Sequence, residues 1–146
     1  MVQFGLMAAV LILAWRYRGQ NFGSWTNWFG AGLLVAGAVF GLAGLAALGR
    51  GTTPLPKPAD GARLVQSGIY AWVRHPLYTS VMLASLGWAL VWQSGPAFTA
   101  ALMQIPFFHA KARREERWLR ERFPDFAGYE RRVPRFLPGF RARRHR

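Results

Sequence analysis

The chain has no cysteine, and acidic residues are scarce, with 6 Asp and Glu against 19 Lys and Arg in 146 residues. Without cysteine there is no disulfide framework, thiolate nucleophile or cysteine metal site. His75, His109 and His145 are scattered and form no His-x-x-Glu or His-x-x-x-His pair, so no metal site is predicted. No Ser or Thr stands on a strand-turn-helix elbow, which argues against a hydrolase triad.

Charge is also missing from two long stretches. Residues 23–48 and 76–108 contain no Asp, Glu, Lys, Arg or His, although the net charge of the chain is +13 and 52% of its residues are hydrophobic. Such segregation is typical of apolar segments in lipid with charges confined to loops. One all-α integral membrane domain with about four transmembrane helices is therefore predicted, at residues 3–17, 25–48, 76–92 and 96–109.

The second of these helices is rich in glycine. Gly37 and Gly41 are four residues apart, a spacing that lets a neighbouring helix approach closely. A nucleotide-binding loop is the alternative, but the G-x-G-x-x-G spacing is absent. The glycines are thus interpreted as helix-packing positions.

The distribution of basic residues predicts the orientation. In a four-crossing chain, the loop 50–75 and the segment from Lys111 lie on one side, and both are basic. The turn 93–95 on the other side is uncharged, so the basic side and both termini are predicted to be cytoplasmic. Arg16 and Arg18 oppose this assignment. The preference for Arg over Lys, with much Ala and Gly, indicates a GC-rich bacterial genome and hence a bacterial inner membrane.

Two further segments have distinctive compositions. Pro54, Pro56 and Pro58 favour extended backbone, so the loop is predicted to cross the membrane surface as a strap, with a plain linker as the alternative. The end of the chain, residues 129–146, is rich in Arg with Phe136, Leu137 and Phe140 interleaved. It is predicted to lie on anionic headgroups.

The polar stretch 64–78, LVQSGIYAWVRHPLY, separates the second and third apolar segments. Pro76 fits the first turn of a helix, and His75 before it is pushed out of helical conformation to the cap position. This predicts a helix N-terminus beside Arg74 that is suited to hold a carboxylate.

A second polar group follows the last apolar segment. Pro106 predicts a kink, after which the helix continues over residues 111–123 until Pro124 stops it, with Glu116 and Arg120 at i,i+4. Lys111 and Glu115 share one face of this helix, together with Phe108 and Leu119. The four-crossing topology predicts that Glu115 and Glu116 lie at the same membrane face as Arg74 and His75.

Aromatic rings, a carboxylate and a helix N-terminus suit a zwitterionic ligand with a positive centre. Each residue also has a structural interpretation. In that interpretation, Arg74 would be a membrane-side anchor and His75 a helix cap. The aromatic residues Tyr70, Trp72 and Tyr78 would form an interfacial belt, and the two glutamates a solvated helix face.

The stretch 64–78, the pair Glu115-Glu116 and the later Phe123, Tyr129 and Val133-Pro134 closely resemble the isoprenylcysteine carboxyl methyltransferases and their bacterial relatives. Phospholipid N-methyltransferases share the same C-terminal core, and the resemblance covers residues 63–138. It implies methyl transfer from S-adenosylmethionine, bound in a pocket that a cytoplasmic C-terminal helical segment closes. Residues 1–50 then supply two N-terminal transmembrane helices, and residues 51–146 the cofactor-binding catalytic core.

The resemblance also implies the site residues. The positions that line the cofactor are Arg63, Leu64, Val65, Tyr70, His75, Pro76, Leu77, Tyr78 and Glu115, and the positions expected to act on the substrate are Arg74, Lys111 and Glu115. Lys111 stands where the family has an arginine linked to substrate binding, so the charge is kept but the bidentate fork is lost.

The acceptor is expected to be a lipid-soluble molecule or lipidated substrate in contact with membrane lipids. A carboxylate acceptor needs no base, whereas a thiol or amine needs one, for which Glu115 and His75 are the candidates. The alternative hypothesis is a non-enzymatic membrane adaptor whose arginine-rich tail binds anionic lipid or nucleic acid. Nucleic acid is disfavoured because five acidic residues interrupt the basic segment.

Overall fold

The computed structural model describes residues 2–49 and 64–138, which form α-helices, one 3₁₀ helix and, within those ranges, no β-strand. The elements are α1 (Val2–Arg16), α2 (Trp25–Leu48), the 3₁₀ helix Gly68–Ala71, α3 (Pro76–Val91), α4 (Gly95–Arg122) and α5 (Phe126–Arg132). The all-helical class is confirmed. Arg63, the proline strap and the tail after residue 138 lie outside the described residues.

The helix boundaries follow local sequence signals. His75 caps α3 and Pro76 occupies its first turn, as predicted, because proline has no N–H to leave unpaired there. Ser94 caps α4 by accepting a hydrogen bond from the Ala97 N–H at 3.4 Å. α4 continues through Pro106 and ends at Arg122, two residues before Pro124, so the prediction of one long helix is confirmed.

Glycines let α2 and α3 pack backbone to backbone. A Cβ added at Gly30 would lie 2.8 Å from the Gly87 carbonyl oxygen, and one added at Gly87 would lie 2.6 Å from that of Gly30. A Cβ at Gly37 would lie 3.0 Å from the Ser80 carbonyl oxygen. The prediction that the glycines of α2 serve helix packing is confirmed at Gly30 and Gly37, since larger side chains there would separate the two helices.

The helices run alternately up and down, which fixes the two ends of the bundle. At one end, Gly19 N–H donates to the Trp92 carbonyl and Gln20 N–H to the Gln93 carbonyl, each at 3.0 Å. At the other end, Lys111 in α4 donates to Gln3 at the start of α1. The start of α3 and the middle of α4 share this second end, which holds the polar residues.

A buried amide ties three helices together in the middle of the bundle. Gln104 in α4 is fully buried; it accepts from the Ser85 hydroxyl at 2.9 Å and donates to the Leu6 carbonyl at 3.4 Å. Hydrogen bonds of this kind connect helices in apolar surroundings, where an unpaired amide is costly.

Only α2, among the described residues, is long and apolar enough to cross a membrane by itself. α1 and α3 are shorter apolar helices of 15 and 16 residues, and α4 continues into a basic half. Of the four predicted crossings, helix length and composition support one, α2, within the described residues. Large apolar side chains nevertheless face outward, including Trp28 at 82% exposed and Leu42 at 70%.

Candidate active site

The C-terminal segment 134–136 holds Arg74 and His75, the hinge before α3, through backbone hydrogen bonds. Arg74 N–H donates to the Pro134 carbonyl at 2.9 Å, and His75 N–H donates to the Arg135 carbonyl at 3.1 Å. The Thr79 hydroxyl donates to the Phe136 carbonyl at 2.8 Å. These bonds fix the direction of the Arg74 and His75 side chains, which point towards α4.

Glu116 is the buried acceptor at the centre of the site. Arg135 donates to it in bidentate fashion, from Nε at 2.9 Å and from Nη2 at 2.6 Å. His75 Nε2 lies 3.1 Å from Glu116 Oε1, and Arg74 Nη1 lies 3.2 Å from the same oxygen. Three elements thus converge on one carboxylate, which is fully buried.

These partners determine the ionisation of Glu116. Burial by itself raises the pKa of the carboxyl, but the hydrogen bonds from His75 and Arg135 and the charge of Arg74 outweigh it and lower the pKa to about 2. Glu116 is therefore ionised at neutral pH. An ionised carboxylate only accepts hydrogen bonds, so His75 Nε2 must carry a proton.

This proton assignment leaves the other ring nitrogen of His75 as the basic one in the neutral imidazole. His75 Nδ1 lies 3.9 Å from Glu115 Oε2. The His75 ring stacks on Tyr78 with centroids 5.2 Å apart and planes within 3°. Glu116 and Tyr78 together hold the tautomer and the plane of a buried histidine, which is 7% exposed.

Arg74 is buried between two carboxylates. Its Nη1 lies 2.9 Å from Glu130 Oε1 as well as 3.2 Å from Glu116, while its Nε is buried without a hydrogen-bond partner among residues 2–49 and 64–138. Glu130 is shared with Arg120, whose Nε and Nη2 each donate to it at 2.7 Å. The hydrogen bonds from Arg120, aided by Arg74, lower the pKa of the Glu130 carboxyl despite its partial burial.

Glu115 faces a different neighbour, although it is adjacent to Glu116 in sequence. The Tyr78 hydroxyl donates to Glu115 Oε2 at 2.8 Å, and the Glu115 side chain remains 31% exposed. Lys111 Nζ lies 4.9 Å from the centroid of the Tyr78 ring. The Tyr78 ring, with Lys111 on its face, therefore lies beside the partly solvated Glu115 carboxylate.

Two tyrosines and a small apolar cluster form the outer wall. The Tyr129 hydroxyl donates to the Tyr70 carbonyl at 2.6 Å, which ties α5 to the 3₁₀ helix. Burial, followed by the charge of Glu115, raises the pKa of the Tyr70 phenol to about 12. Leu64 packs against the α5 cluster, which consists of Phe126, Tyr129 and Val133.

The structure thus brings most of the predicted site residues to one end of the bundle. His75, Tyr78, Lys111 and Glu115 are joined by contacts there, and Arg74 shares Glu116 with His75. Tyr70 is close enough for the charge of Glu115 to raise its pKa, and Val65 is half-buried near the start of the described segment. Pro76 and Leu77 instead pack on α2, where they are the nearest side chains to Gly44. Arg63 lies outside the described residues.

Two sequence-based interpretations are corrected. Residues 129–136 do not form a surface tail: Tyr129 and Val133 are buried, and Arg135 binds Glu116. Glu116 and Arg120 were expected to pair along the helix, but Arg120 binds Glu130, since α5 folds back over α4.

Arg135, Glu130 and Phe136 were missed as site residues. The available signal was Val133-Pro134, because Pro134 favours the extended backbone of Val133 that ends α5, and Arg135 follows directly. Among residues 2–49 and 64–138, no group of three or more His, Asp and Glu side chains is arranged to hold a metal ion.

Comparison with known proteins gives two relatives. The cobalt-zinc-cadmium resistance protein CzcN of Cupriavidus metallidurans is 44% identical over 77 residues, covering 51% of this chain and 35% of that protein. The nickel-cobalt-cadmium resistance protein NccN of Alcaligenes xylosoxydans xylosoxydans is 32% identical over 116 residues, covering 77% of this chain and 53% of that protein. The chain therefore spans about a third to a half of the length of these curated relatives.

A family model described as phospholipid methyltransferase matches residues 25–125. The match includes α2, the hinge, α3 and α4, and so contains His75, Tyr78, Glu115 and Glu116. It agrees with the resemblance found in the sequence, since isoprenylcysteine carboxyl methyltransferases share this family. The chain belongs to the phospholipid methyltransferase family.

Proposed function

We propose that the chain transfers a methyl group from S-adenosylmethionine to a lipophilic acceptor at the cytoplasmic face of a bacterial inner membrane. The observation that carries the proposal is the contact between the hinge and α4, where Tyr78 donates to Glu115 at 2.8 Å and His75 lies 3.1 Å from Glu116. Two polar segments 37 or more residues apart in sequence thus contact each other at one end of an apolar bundle.

The residues present fit a zwitterionic cofactor with a positive centre. The Tyr78 ring face already accepts the Lys111 cation, and Glu115 has one hydrogen-bond donor and room for others. The Nε of Arg74 is a buried donor without a hydrogen-bond partner in the described ranges, as expected of a site built for a further group. Glu115, Tyr70 and Tyr78 would hold the cofactor's cationic part.

When bound, S-adenosylmethionine supplies an electrophilic methyl group. The chain's own contribution is to hold donor and acceptor close together and away from water. Glu116 fixes the proton on His75 Nε2 and leaves Nδ1 as a base for a thiol or amine acceptor. A carboxylate acceptor would need no such base, and Lys111 would then hold it as a point charge rather than through a bidentate fork.

The outer surface supports four crossings. Large apolar side chains on α1, α2 and the first half of α4 are exposed, among them Phe4, Ile12, Val35, Val39, Leu45 and Met103. At the end away from the site, Trp15, Trp25 and Trp28 are exposed in the positions of an interfacial aromatic belt. The basic second half of α4 and α5 then lie in the cytoplasm, and a membrane-dissolved acceptor enters sideways between helices.

Cofactor binding is tested by calorimetric titration of the purified protein with S-adenosylhomocysteine. We expect saturable binding, which Glu115→Gln and His75→Ala each weaken more than His109→Ala does. His109 is a matched control because it lies on α4 but is exposed and contacts Arg135 rather than Glu115. No heat at millimolar ligand with folded protein would exclude the proposal, and equal effects of the three variants would remove the site assignment.

The acceptor is identified by supplying membranes with methyl-labelled cofactor in the presence and absence of the protein. We expect a labelled product that partitions into the lipid phase, and we expect Glu115→Gln to reduce its yield. A label found only in water-soluble products would contradict the lipophilic acceptor. Deleting residues 139–146 distinguishes the enzyme from the adaptor alternative. Loss of all function with intact cofactor affinity would favour the adaptor.

A further inference from the structure

A cleft of about 890 Å³ lies on α4, on the side away from the Tyr78 and Glu115 contact. Its apolar part is formed by Ile105, Pro106 and Ala110, and its basic part by Arg113 and Arg117 one and two turns further along the helix. Residues 106, 110, 113 and 117 are spaced three or four apart and therefore form one stripe. Lys111 and Glu115 belong to the opposite side of α4, where they contact Tyr78.

The charges in the cleft differ in how they are satisfied. Arg135 and Arg120, which also line it, are bound to Glu116 and Glu130. Arg113 and Arg117 are exposed and have no carboxylate partner in the described part of the chain. Among the described residues that line the cleft, the only acidic one is Glu116, whose charge is already neutralised by His75, Arg74 and Arg135. The cleft therefore has an excess of positive charge available for a ligand.

The position of the cleft along α4 indicates what the ligand is. On one side of it α4 exposes Leu102, Met103 and Ile105, and on the other side Arg113, Arg114 and Arg117. In a membrane, this transition lies at the level of the headgroups. A molecule that fills the cleft would contact apolar groups at one end and guanidinium groups at the other, which matches an acyl chain joined to a phosphate.

We infer that this cleft binds an anionic phospholipid of the surrounding bilayer, with the phosphate on Arg113 and Arg117 and an acyl chain along Ile105 and Pro106. The lipid is a bound component and is distinct from the methyl acceptor, which belongs on the Tyr78 side of α4. The inference rests on the membrane placement in the proposed function and is independent of methyl transfer.

Binding is measured by native mass spectrometry on the delipidated protein in detergent, titrated with phosphatidylglycerol and, separately, with phosphatidylcholine. We expect one saturable phosphatidylglycerol site and weaker binding of phosphatidylcholine. Replacing Arg113 and Arg117 together by Gln should weaken phosphatidylglycerol binding about tenfold or more, since the phosphate would lose both of its cationic partners. The control, Arg18→Gln with Arg114→Gln, removes equal charge outside the cleft and should change affinity less than about twofold.

A second variant tests shape without changing charge. Ala110 is exposed in the cleft, so Ala110→Trp should fill its apolar part and reduce phosphatidylglycerol binding while thermal unfolding stays unchanged. Equal losses in the cleft and control double variants would overturn the inference in favour of general surface attraction. Full competition by millimolar inorganic phosphate would also overturn it, because a free anion would then suffice.

The same samples separate this inference from the proposed function. The Arg113 and Arg117 double variant should still bind S-adenosylhomocysteine, because neither residue contacts Tyr78 or Glu115. If the wild-type protein binds phosphatidylglycerol in the cleft but no S-adenosylhomocysteine, the proposed enzyme activity fails and the lipid site stands. If it binds S-adenosylhomocysteine but phosphatidylglycerol binding is unaffected by both cleft variants, the lipid site fails alone.

Discussion

Two adjacent glutamates have different surroundings, and the difference assigns them different tasks. Glu116 is fully buried and binds three basic side chains, whereas Glu115 is 31% exposed and accepts from a tyrosine. Successive residues on a helix point about 100° apart, so one of the pair faces Arg135 and the other Tyr78. Glu116 organises the site, and Glu115 is available to a ligand.

Glu116→Gln should lower the free energy of unfolding by about 3 kcal/mol, because it removes the counter-charge of partly buried Arg135 and one of the two counter-charges of buried Arg74. Glu115→Gln should cost less than about 1 kcal/mol, since Glu115 is partly solvated. Chemical unfolding in detergent measures both, with Glu121→Gln on the exposed face of α4 as the control. Similar losses for Glu115→Gln and Glu116→Gln would contradict the assignment.

The pKa of Glu116 predicts a pH dependence of stability. The folded pKa is about 2, below the ordinary value of 4.5, so the ionised form is favoured by folding. Its contribution to stability is complete above pH 4.5 and is lost as the pH falls from 4.5 towards 2. The thermal unfolding midpoint should decline over this window in the wild type and more gently in Glu116→Gln. Parallel declines would show that other groups dominate.

Sequence reasoning found the residues of the site better than their pairing. The hinge and the glutamates were predictable because the proline cap and the spacing of polar groups are local signals. The partner of Glu116 was not predictable in this way. Arg120 lies one helical turn from Glu116 and is the expected partner from sequence, whereas the observed partner Arg135 lies 19 residues after Glu116. Only the return of α5 over α4 decides between them.

At the scale of elements, the close contact between α2 and α3 depends on glycines, which have no side chain to separate the two backbones. Gly30→Ala and Gly87→Ala should each destabilise the protein by about 1–3 kcal/mol, because an added Cβ meets the backbone oxygen of the facing glycine. Gly32→Ala on the same helix meets nothing within 4 Å and should be neutral or slightly stabilising. Thermal unfolding of the three variants measures the difference, and equal effects would contradict close packing at Gly30.

The helices themselves were largely predictable. α2 was predicted with its observed bounds, and α1, α3 and α4 begin and end close to the expected residues, because long apolar runs flanked by proline and serine are strong signals. α5 was not predicted as a helix. It has only 7 residues and an arginine-rich composition, and its helical form is stabilised by packing of Phe126 and Tyr129.

For the whole molecule, the alternating helix directions predict opposite exposure of the two bundle ends. Ser24 and Ser67 are exposed cap residues that make no side-chain capping hydrogen bond, so Ser→Cys at either position is a minimal change. A membrane-impermeant maleimide should label Ser24→Cys in intact cells and Ser67→Cys only in inverted vesicles. The chain has no native cysteine, so background labelling is absent. Labelling of both from the same side would contradict the four-crossing topology.

The backbone bonds from Arg74 and His75 to residues 134 and 135 also set the order in which the protein matures. The four long helices of the described residues are complete by Arg122, so they can form before residue 135 leaves the ribosome. Until then, Glu116 has no Arg135 and the hinge has no backbone acceptors. The candidate site is therefore completed only once residue 135 has been made, and a product that ends before Arg135 would contain the long helices without a finished site.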